Sequence, residues 1–205
     1  MRRHRTGTKR GRTDARGQTL VEFAIVFPIF WTVLIGLIEF AFAFSSVLTV
    51  SYASRNAAVI AAEAGNATTA DCSILHSVEG DVNAPSAASR IQKVDIYWTD
   101  SNGAIKSGAT TTYTRSTSST ISCNVNSVAF TVPYTLTTNG YKMADRCAIR
   151  SGCSNDSVGR SHPGIDTIGV KITYSYAYHT PYGAVLGGTG WTIERASEMR
   201  LEPYQ

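Results

Sequence analysis

Charged side chains are scarce in this sequence. Asp, Glu, Lys and Arg make up 17% of the 205 residues, below the roughly 25% of ordinary soluble proteins. A disordered, strongly solvated chain needs a high net charge and few apolar residues. Because 43% of the residues are hydrophobic and the formal net charge is +4, the composition excludes that class. The length predicts one domain, or one domain with an appendage.

Motifs that carry catalytic chemistry are also lacking. The sequence contains no His-Glu-x-x-His zinc motif, no glycine-rich phosphate-binding loop and no Gly-x-Ser-x-Gly nucleophile turn. The four histidines are scattered along the chain, at positions 4, 76, 162 and 179. We therefore expect no enzyme activity, no cofactor and no bound metal.

Three aspartates lie in or beside a loop rich in Gly, Ser and Asn, and carboxylates in such a loop are the ligands that calcium prefers. Their positions, Asp145, Asp156 and Asp166, do not fit the spacing of a known calcium-binding loop. We expect them to lie on a solvated surface rather than in a metal site.

The positive charge is concentrated at the N-terminus. Residues 1–17 contain seven Lys or Arg and one Asp, whereas 18–205 contain 12 basic and 14 acidic side chains, a net charge of −2. A basic arm can bind nucleic acid through its phosphates, but the residues that follow this arm favour another interpretation. We expect no nucleic-acid partner.

A long apolar run follows the basic arm. Residues 23–38 contain no charge, and Glu39 is the only charged residue between Glu22 and Arg55. The segment 23–44 is long enough for the roughly 20 residues with which a helix crosses a bilayer. Basic residues directly before such a span stay in the cytoplasm. The sequence therefore predicts a single-pass membrane protein with a cytoplasmic N-terminus and an extracytoplasmic body beyond about residue 45.

All four cysteines follow the apolar run, which agrees with an exported body. An even number of cysteines in an exported domain predicts two disulfides, with three possible connectivities. We favour Cys147–Cys153, which are close in sequence, together with Cys72–Cys123. A zinc site is disfavoured because the C-x5-C spacing has no matching second pair.

Three fates are open for residues 1–44. Ala41-Phe42-Ala43 provides an A-x-A site for signal peptidase, which would release a soluble domain starting at Phe44. The segment could also remain as an uncut anchor. The third fate is indicated by Gly17, which ends the basic arm, and by Glu22, a carboxylate at the start of an apolar helix. A charge there is costly unless it is paired, and this invites a search for its partner.

Gly17 followed by Glu22 resembles the class III signal of type IV pilins and pseudopilins. The wider stretch GQTLVEFAIVFPIFWTVLIGLIEFAFAF resembles the TadE-like pseudopilins of tight-adherence (Flp) pilus systems, in which a Leu-Val-Glu-Phe-Ala run leads into an apolar span ending in Glu-Phe. The run from Ala53 to Ala58 and the closing segment from Ala196 to Pro203 are also similar to that family.

The resemblance implies cleavage by a prepilin peptidase between Gly17 and Gln18. Glu22 would then be the fifth residue of the mature chain and would attract the free amino terminus of a neighbouring subunit, with Phe23 beside it at the assembly end of the helix. The implied function is that of a minor pilin or pseudopilin in pilus assembly or initiation. Its partners would be other pilins and pseudopilins, the peptidase, the membrane assembly platform and lipid. The alternative is an adhesin-like binding module on an uncleaved anchor.

The helix is expected to extend well past the membrane. Residues 18–64 contain no Gly or Pro after Gly36 and would form a helix of about 70 Å at about 1.5 Å per residue, ending at Gly65. Pro28 should bend it. The outer half needs a packing partner, for which Val47, Val50, Ala58 and Ile60 are available.

The remainder alternates between apolar and polar residues, the pattern of antiparallel strands with one wet face. The alternation covers 94–98, 128–136, 170–178 and 191–201, with polar connections at 66–90, 101–127 and 139–165. Tyrosines at 174, 176 and 178 could form a sugar-binding platform but are more typical of a core. We predict an α+β, type IV pilin-like fold: a basic leader (1–17), a long helix (18–65) and a β-rich domain (66–205).

Overall fold

The computed structural model of the chain describes residues 15–100, 102–125, 127–181, 183 and 187–203. The predicted basic leader lies outside these residues, apart from its last three. The described chain forms a long N-terminal helix and a head, residues 70–203, in which an antiparallel sheet packs against the second half of that helix. The predicted α+β architecture is confirmed.

The first helix, α1, spans Ala15–Ala64, which is 50 residues or about 75 Å at about 1.5 Å per residue. It runs without interruption through Pro28, and the Thr32 hydroxyl donates a hydrogen bond to the Pro28 carbonyl at 2.8 Å. The helix ends where the sequence indicates. Gly65 has a φ of 53° and its N–H donates to the Ala61 carbonyl, the left-handed C-terminal conformation that favours glycine.

The two halves of α1 have different surroundings. Residues 17–33 are exposed along their whole length, whereas from Glu39 onward one face is buried against the head. That inner face is built from small residues; it consists of Ala43, Ser46, Val50, Ala53, Ser54, Ala57, Ala58, Ala61 and Ala62. Of the predicted contacts, Val50 and Ala58 are buried and Val47 and Ile60 partly so.

The described residues form seven strands. They are β1 (Ile91–Thr99), β2 (Ile105–Arg115), β3 (Ile121–Val125), β4 (Val128–Val132), β5 (Tyr134–Asn139), β6 (Thr167–Ala177) and β7 (Gly190–Arg200). The main sheet has the order β5-β2-β1-β6-β7, with every neighbouring pair antiparallel, and β3 and β4 form a separate hairpin. Helix α1 packs on β6 and β7.

Two predictions about the strands were wrong. The alternation over 128–136 is divided at Pro133 into β4 and β5, which belong to different sheets, since proline has no N–H for a ladder hydrogen bond. The segment 101–127, expected as a polar connection, contains β2 and β3. Strand β2 is rich in threonine, a β-branched residue that suits strands despite its polarity.

A second helix, α2 (Ala70–Asp81), lies in the segment 66–90 that was expected to be a connection. It buries Ile74, Leu75 and Val78. Its Glu79 carboxylate pairs with the Arg115 guanidinium of β2 and accepts a hydrogen bond from the Tyr134 hydroxyl of β5 at 2.6 Å. Helix α2 therefore covers the β2–β5 half of the sheet, and α1 covers the β6–β7 half.

Candidate functional site: the N-terminal helix and its junction with the head

The exposed half of α1 carries the largest apolar surface of the described chain. Between Gly17 and Ile38 its only charged residue is Glu22, and the rings of Phe23, Phe27 and Trp31 follow one another at centroid distances of 5.3 and 6.1 Å. The helix is long and apolar enough to cross a membrane. The 22 residues from Gly17 to Ile38 measure about 33 Å, against about 30 Å for a hydrocarbon core.

The predicted processing residues lie in the first turns of α1. Gly17 is helical, and a Cβ placed on it would meet no other atom within 4 Å. Neither its backbone conformation nor its packing requires glycine, although glycine destabilises a helix interior by about 1 kcal/mol relative to alanine. The Gln18 side-chain amide donates to the Glu22 carboxylate at 3.2 Å, and Phe23 is exposed.

The second charged residue of the apolar run, Glu39, is buried at a junction between α1 and the head. Glu39 is only 5% exposed. The carboxylate accepts hydrogen bonds from the Tyr176 hydroxyl, from the backbone N–H groups of His179 (3.1 Å) and Thr180 (2.8 Å), and from the Thr180 hydroxyl (2.7 Å). A buried charge is stable only with such a set of donors. We call these four residues the junction.

The junction shows where the head meets the helix. The head already contacts α1 at Glu39 and Ala43, inside the segment 23–44 that the sequence predicts as the membrane span. The part of α1 that is free of the head, up to Ile38, is still long enough to cross a hydrocarbon core by itself. The junction therefore lies at the outer end of the candidate span.

Beyond the junction, α1 carries an apolar stripe on its outer face. Phe40, Phe44, Leu48 and Tyr52 are each more than half exposed, and their spacing of four residues places them on one side of a helix. The rings of Phe40 and Phe44 are stacked at 6.2 Å. We call these four residues the outer stripe. The sequence does not reveal the outer stripe, because Phe40 and Phe44 lie within the predicted span, and Leu48 and Tyr52 lie in the part of the helix that was expected to pack on the head.

The predicted solvated surface for the three loop aspartates was wrong in the case of Asp166, which is 2% exposed. Its carboxylate accepts hydrogen bonds from the Tyr141 hydroxyl (2.8 Å) and the Cys147 N–H (2.9 Å), and it lies 2.7 Å from Nδ1 of His162. Burial, together with the negative charge of Asp166, raises the pKa of Tyr141 well above its usual range. This cluster holds the loop onto the sheet.

The side chain of Asp156 is also buried, contrary to expectation. It accepts hydrogen bonds from the N–H groups of Val158 (3.0 Å) and Arg160 (2.7 Å) and pairs with the Arg160 guanidinium. Burial alone would raise the pKa of Asp156, but these hydrogen bonds outweigh it and lower the pKa. Asp145 accepts from the N–H and hydroxyl of Ser157. In the described part of the chain, no three His, Cys, Asp or Glu residues are grouped as metal ligands.

The structure contains the two disulfides that the sequence analysis favours. Cys72–Cys123 connects α2 to β3, with the Cα atoms 5.8 Å apart, and Cys147–Cys153 closes a short loop at 5.7 Å. The tyrosines at 174 and 176 are buried in the core, as their spacing indicates, and do not form a sugar-binding platform.

Comparison with known protein families identifies a similarity in the N-terminal helix. Residues 17–59 match the family model described as TadE-like protein. The match covers most of α1, including the run from Ala53 to Ala58, and does not reach the head or the closing segment from Ala196. No curated protein and no solved structure matches the chain. The resemblance seen in the sequence is thereby confirmed for the helix: residues 17–59 are similar to the TadE-like family, and this similarity indicates a part in a Tad pilus system.

Proposed function

We propose that the chain is a minor pseudopilin that acts in the assembly or initiation of a Tad pilus, through packing of α1 with like helices and without catalysis. A prepilin peptidase would cut between Gly17 and Gln18. Before assembly, the mature protein would be anchored in the membrane, with residues 18–38 across the bilayer and the head outside. The basic residues before Gly17 support a cytoplasmic leader.

The observation that carries this proposal is the outer stripe. Lipid can cover the apolar surface up to the junction, but Leu48 and Tyr52 lie about 14 and 20 Å beyond Glu39 along the helix. They are exposed, and they line a pocket of about 410 Å³ together with Asp81 and Asn83 of the head. Contiguous apolar surface on one helix face is typical of an interface with another helix. Burying one such side chain would contribute about 1.5–3 kcal/mol.

The carboxylates at the two ends of the apolar segment differ in their surroundings. Glu39 has its donors within the chain, whereas Glu22 lies on an exposed apolar surface next to Gln18. Cleavage after Gly17 would create an ammonium group on Gln18 of each subunit. In a helix bundle, the ammonium of one subunit could meet the Glu22 carboxylate of the next, and in low dielectric this attraction is strong if the geometry is good.

Gly17 gives independent support for processing. Since neither packing nor backbone conformation requires glycine there, its presence in a helix has no structural benefit. Recognition by a peptidase that needs a residue without a side chain is a sufficient reason. Gly17→Ala should leave the fold intact and slightly favour the helix, while blocking the cut.

Coexpression with a prepilin peptidase, followed by intact-mass measurement, tests the processing step. A chain starting at Gln18 is expected from the wild type, and an unprocessed chain from Gly17→Ala. A wild-type chain that still starts at Met1 would support the uncleaved anchor with a binding head, and one that starts at Phe44 would support secretion. Either result would contradict the proposal.

The packing step is tested in cells that assemble the pilus. Leu48→Lys places a charge in the outer stripe and should reduce assembled pili by about tenfold or more, since burying a charge in a helix interface costs several kcal/mol. The Asp81 carboxylate, which lines the same pocket as Leu48, already accepts hydrogen bonds from Asn56 and Ser77. The control is Glu63→Lys, which places the same side chain at an exposed, already polar position of α1. Both variants should accumulate and be processed normally. Normal piliation in Leu48→Lys, or an equal loss in Glu63→Lys, would contradict helix packing through the stripe.

Glu22→Ala tests the charge pairing separately. The variant should still be cut after Gly17 and retained in the membrane, because the apolar span is intact. Assembly should fail for lack of the carboxylate that receives the neighbouring amino terminus. Glu22→Asp, which keeps the charge on a shorter side chain, should restore part of the assembly. Normal pili from Glu22→Ala would exclude the pairing role.

A further inference from the structure

The end of the head nearest the candidate span is aromatic. Trp191, at the start of β7, is 42% exposed, and its ring packs on those of Tyr176 and Tyr178 at 4.5 and 5.6 Å. His179 is exposed and lies 4.9 Å from the Phe42 ring of α1. We call Phe42, Tyr178, His179 and Trp191 the basal aromatic surface.

The contacts between α1 and the sheet fix which end of the head this surface occupies. Ser197 lies 3.5 Å from Ser54, and the Glu202 N–H donates to the Ala62 carbonyl. Strand β7 therefore runs parallel to α1, and its first residues lie beside the junction. Trp191 is paired in the sheet with Tyr176, whose hydroxyl donates to Glu39. The basal aromatic surface is thus at the level where α1 leaves the head.

The charge distribution of the head agrees with this direction. The sequence from Ile172 to Ile193, which includes the adjoining ends of β6 and β7, contains no Lys, Arg, Asp or Glu. The opposite end has a cleft of about 500 Å³ whose lining includes Asp100, Lys106 and Arg200. The part of the base that β6 and β7 form is therefore uncharged and aromatic, and the nearest charge of the head at this end is Arg90, which precedes the β1 residue paired with Tyr174. A membrane-facing surface of β6 and β7 is expected to have this character, with charges at its side and at the far end.

We infer that the basal aromatic surface seats the head in the interfacial zone of the bilayer, between the lipid headgroups and the acyl chains. Trp and Tyr prefer this zone because their rings are apolar and their N–H or O–H groups remain wet. The inference rests on the proposed membrane anchoring of α1 and deepens it. The surface is continuous with the candidate span, since Phe42 lies one helical turn beyond the exposed Ile38, and the only charged residue between them is the buried Glu39.

The three tryptophans of the chain lie at three different heights and provide the test. Trp31 is eight residues before Glu39, about 12 Å into the span. Trp191 is at the basal aromatic surface. Trp98 is paired with Ile168, eight residues along β6 from Tyr176 and thus about 26 Å away from the base.

Full-length variants with one tryptophan each, the other two replaced by Phe, are reconstituted in phosphatidylcholine vesicles. The lipids carry bromine either near the glycerol backbone or near the chain ends. Shallow bromines should reduce Trp191 fluorescence about twofold and deep bromines less. Trp31 should show the opposite order, and Trp98 should be unaffected. If Trp98→Phe impairs folding, wild type compared with Trp191→Phe isolates the same signal.

The outcomes separate this inference from the proposed function. If Trp31 is quenched by deep bromines and Trp191 by neither lipid, α1 spans the bilayer while the head stands clear, and the seating is wrong. If Trp31 is not quenched, membrane anchoring itself fails. If Trp191 becomes shielded in every lipid as the protein-to-lipid ratio rises, the surface binds a second copy, and the lipid assignment is overturned.

Discussion

The junction predicts a measurable effect of removing a single hydroxyl. Tyr176→Phe deletes the hydrogen bond to Glu39 and leaves the ring in place. Hydrogen bonds to a charged group contribute about 1.5–3 kcal/mol, and Glu39 is buried. Since about 1.4 kcal/mol is a tenfold change in an equilibrium constant, the local opening equilibrium of the junction should rise about 10- to 150-fold.

Hydrogen–deuterium exchange of the reconstituted protein measures that opening, because the N–H groups of His179 and Thr180 exchange only when they leave the Glu39 carboxylate. Their exchange should accelerate by the same factor in Tyr176→Phe, while amides in the middle of β6 stay protected. Tyr178→Phe is the matched control, since the described structure shows no hydrogen bond from that hydroxyl to Glu39. Unchanged exchange at His179 and Thr180 in Tyr176→Phe would refute the reasoning.

Two further predictions concern the stability of the head. Replacing Cys72 and Cys123 by Ala removes a crosslink between residues 51 apart in sequence and should lower the free energy of unfolding by about 4 kcal/mol. Replacing Cys147 and Cys153, which are six apart, should lower it by about 2 kcal/mol. Urea unfolding of the reconstituted protein measures both values, and equal losses would contradict the loop-entropy argument. Asp156→Asn should lower the thermal midpoint at pH 7. The pKa of Asp156 is lowered in the folded state, so its contribution to stability is present above about pH 4 and is lost as the pH falls through the folded pKa. The difference in thermal midpoint between variant and wild type should therefore disappear on acidification. A difference that does not change with pH down to acid unfolding would argue against a role of the ionised carboxylate.

The long helix could be predicted from the sequence because every local signal agrees. The run after Gly36 has no Gly or Pro until Gly65, and the terminating glycine takes the left-handed conformation that ends a helix. The strands β1, β6 and β7 could be predicted because their sequences alternate between apolar and polar residues with a period of two, although residues 94–99 of β1 are buried on both faces and most of β7 is not buried.

The missed elements are those whose burial is not visible as apolar periodicity. Helix α2 has only three large buried apolar residues among Ser, Asp and Gly. Its position depends on contacts with remote partners, such as Glu79 with Arg115 and Tyr134. Strand β2 buries Ala109 and Thr111, residues that hydropathy alone does not separate from a loop.

The sequence predicts the charged residues of the candidate site but not their hydrogen-bond donors. The search for a partner of an unpaired charge in an apolar run points to both Glu22 and Glu39, but it cannot identify the donors. Those of Glu39 are two hydroxyls and two backbone N–H groups about 140 residues away. Backbone donors leave no trace in a sequence, and only the antiparallel pairing of β6 with β7 brings them to the helix.

The alanines and serines along the inner face of α1 also limit how the two parts of the molecule can move. Small side chains allow a close approach of helix and strands, and a shift of the helix by one residue would replace Ala43 with Phe44 or Ala53 with Tyr52. Sliding or twisting of α1 against β6 and β7 is therefore sterically blocked. If the chain packs into a filament as proposed, the rotation of α1 about its own axis would set which side of the head faces outward. The small residues on the inner face of α1 would then determine which surface of the head the filament exposes.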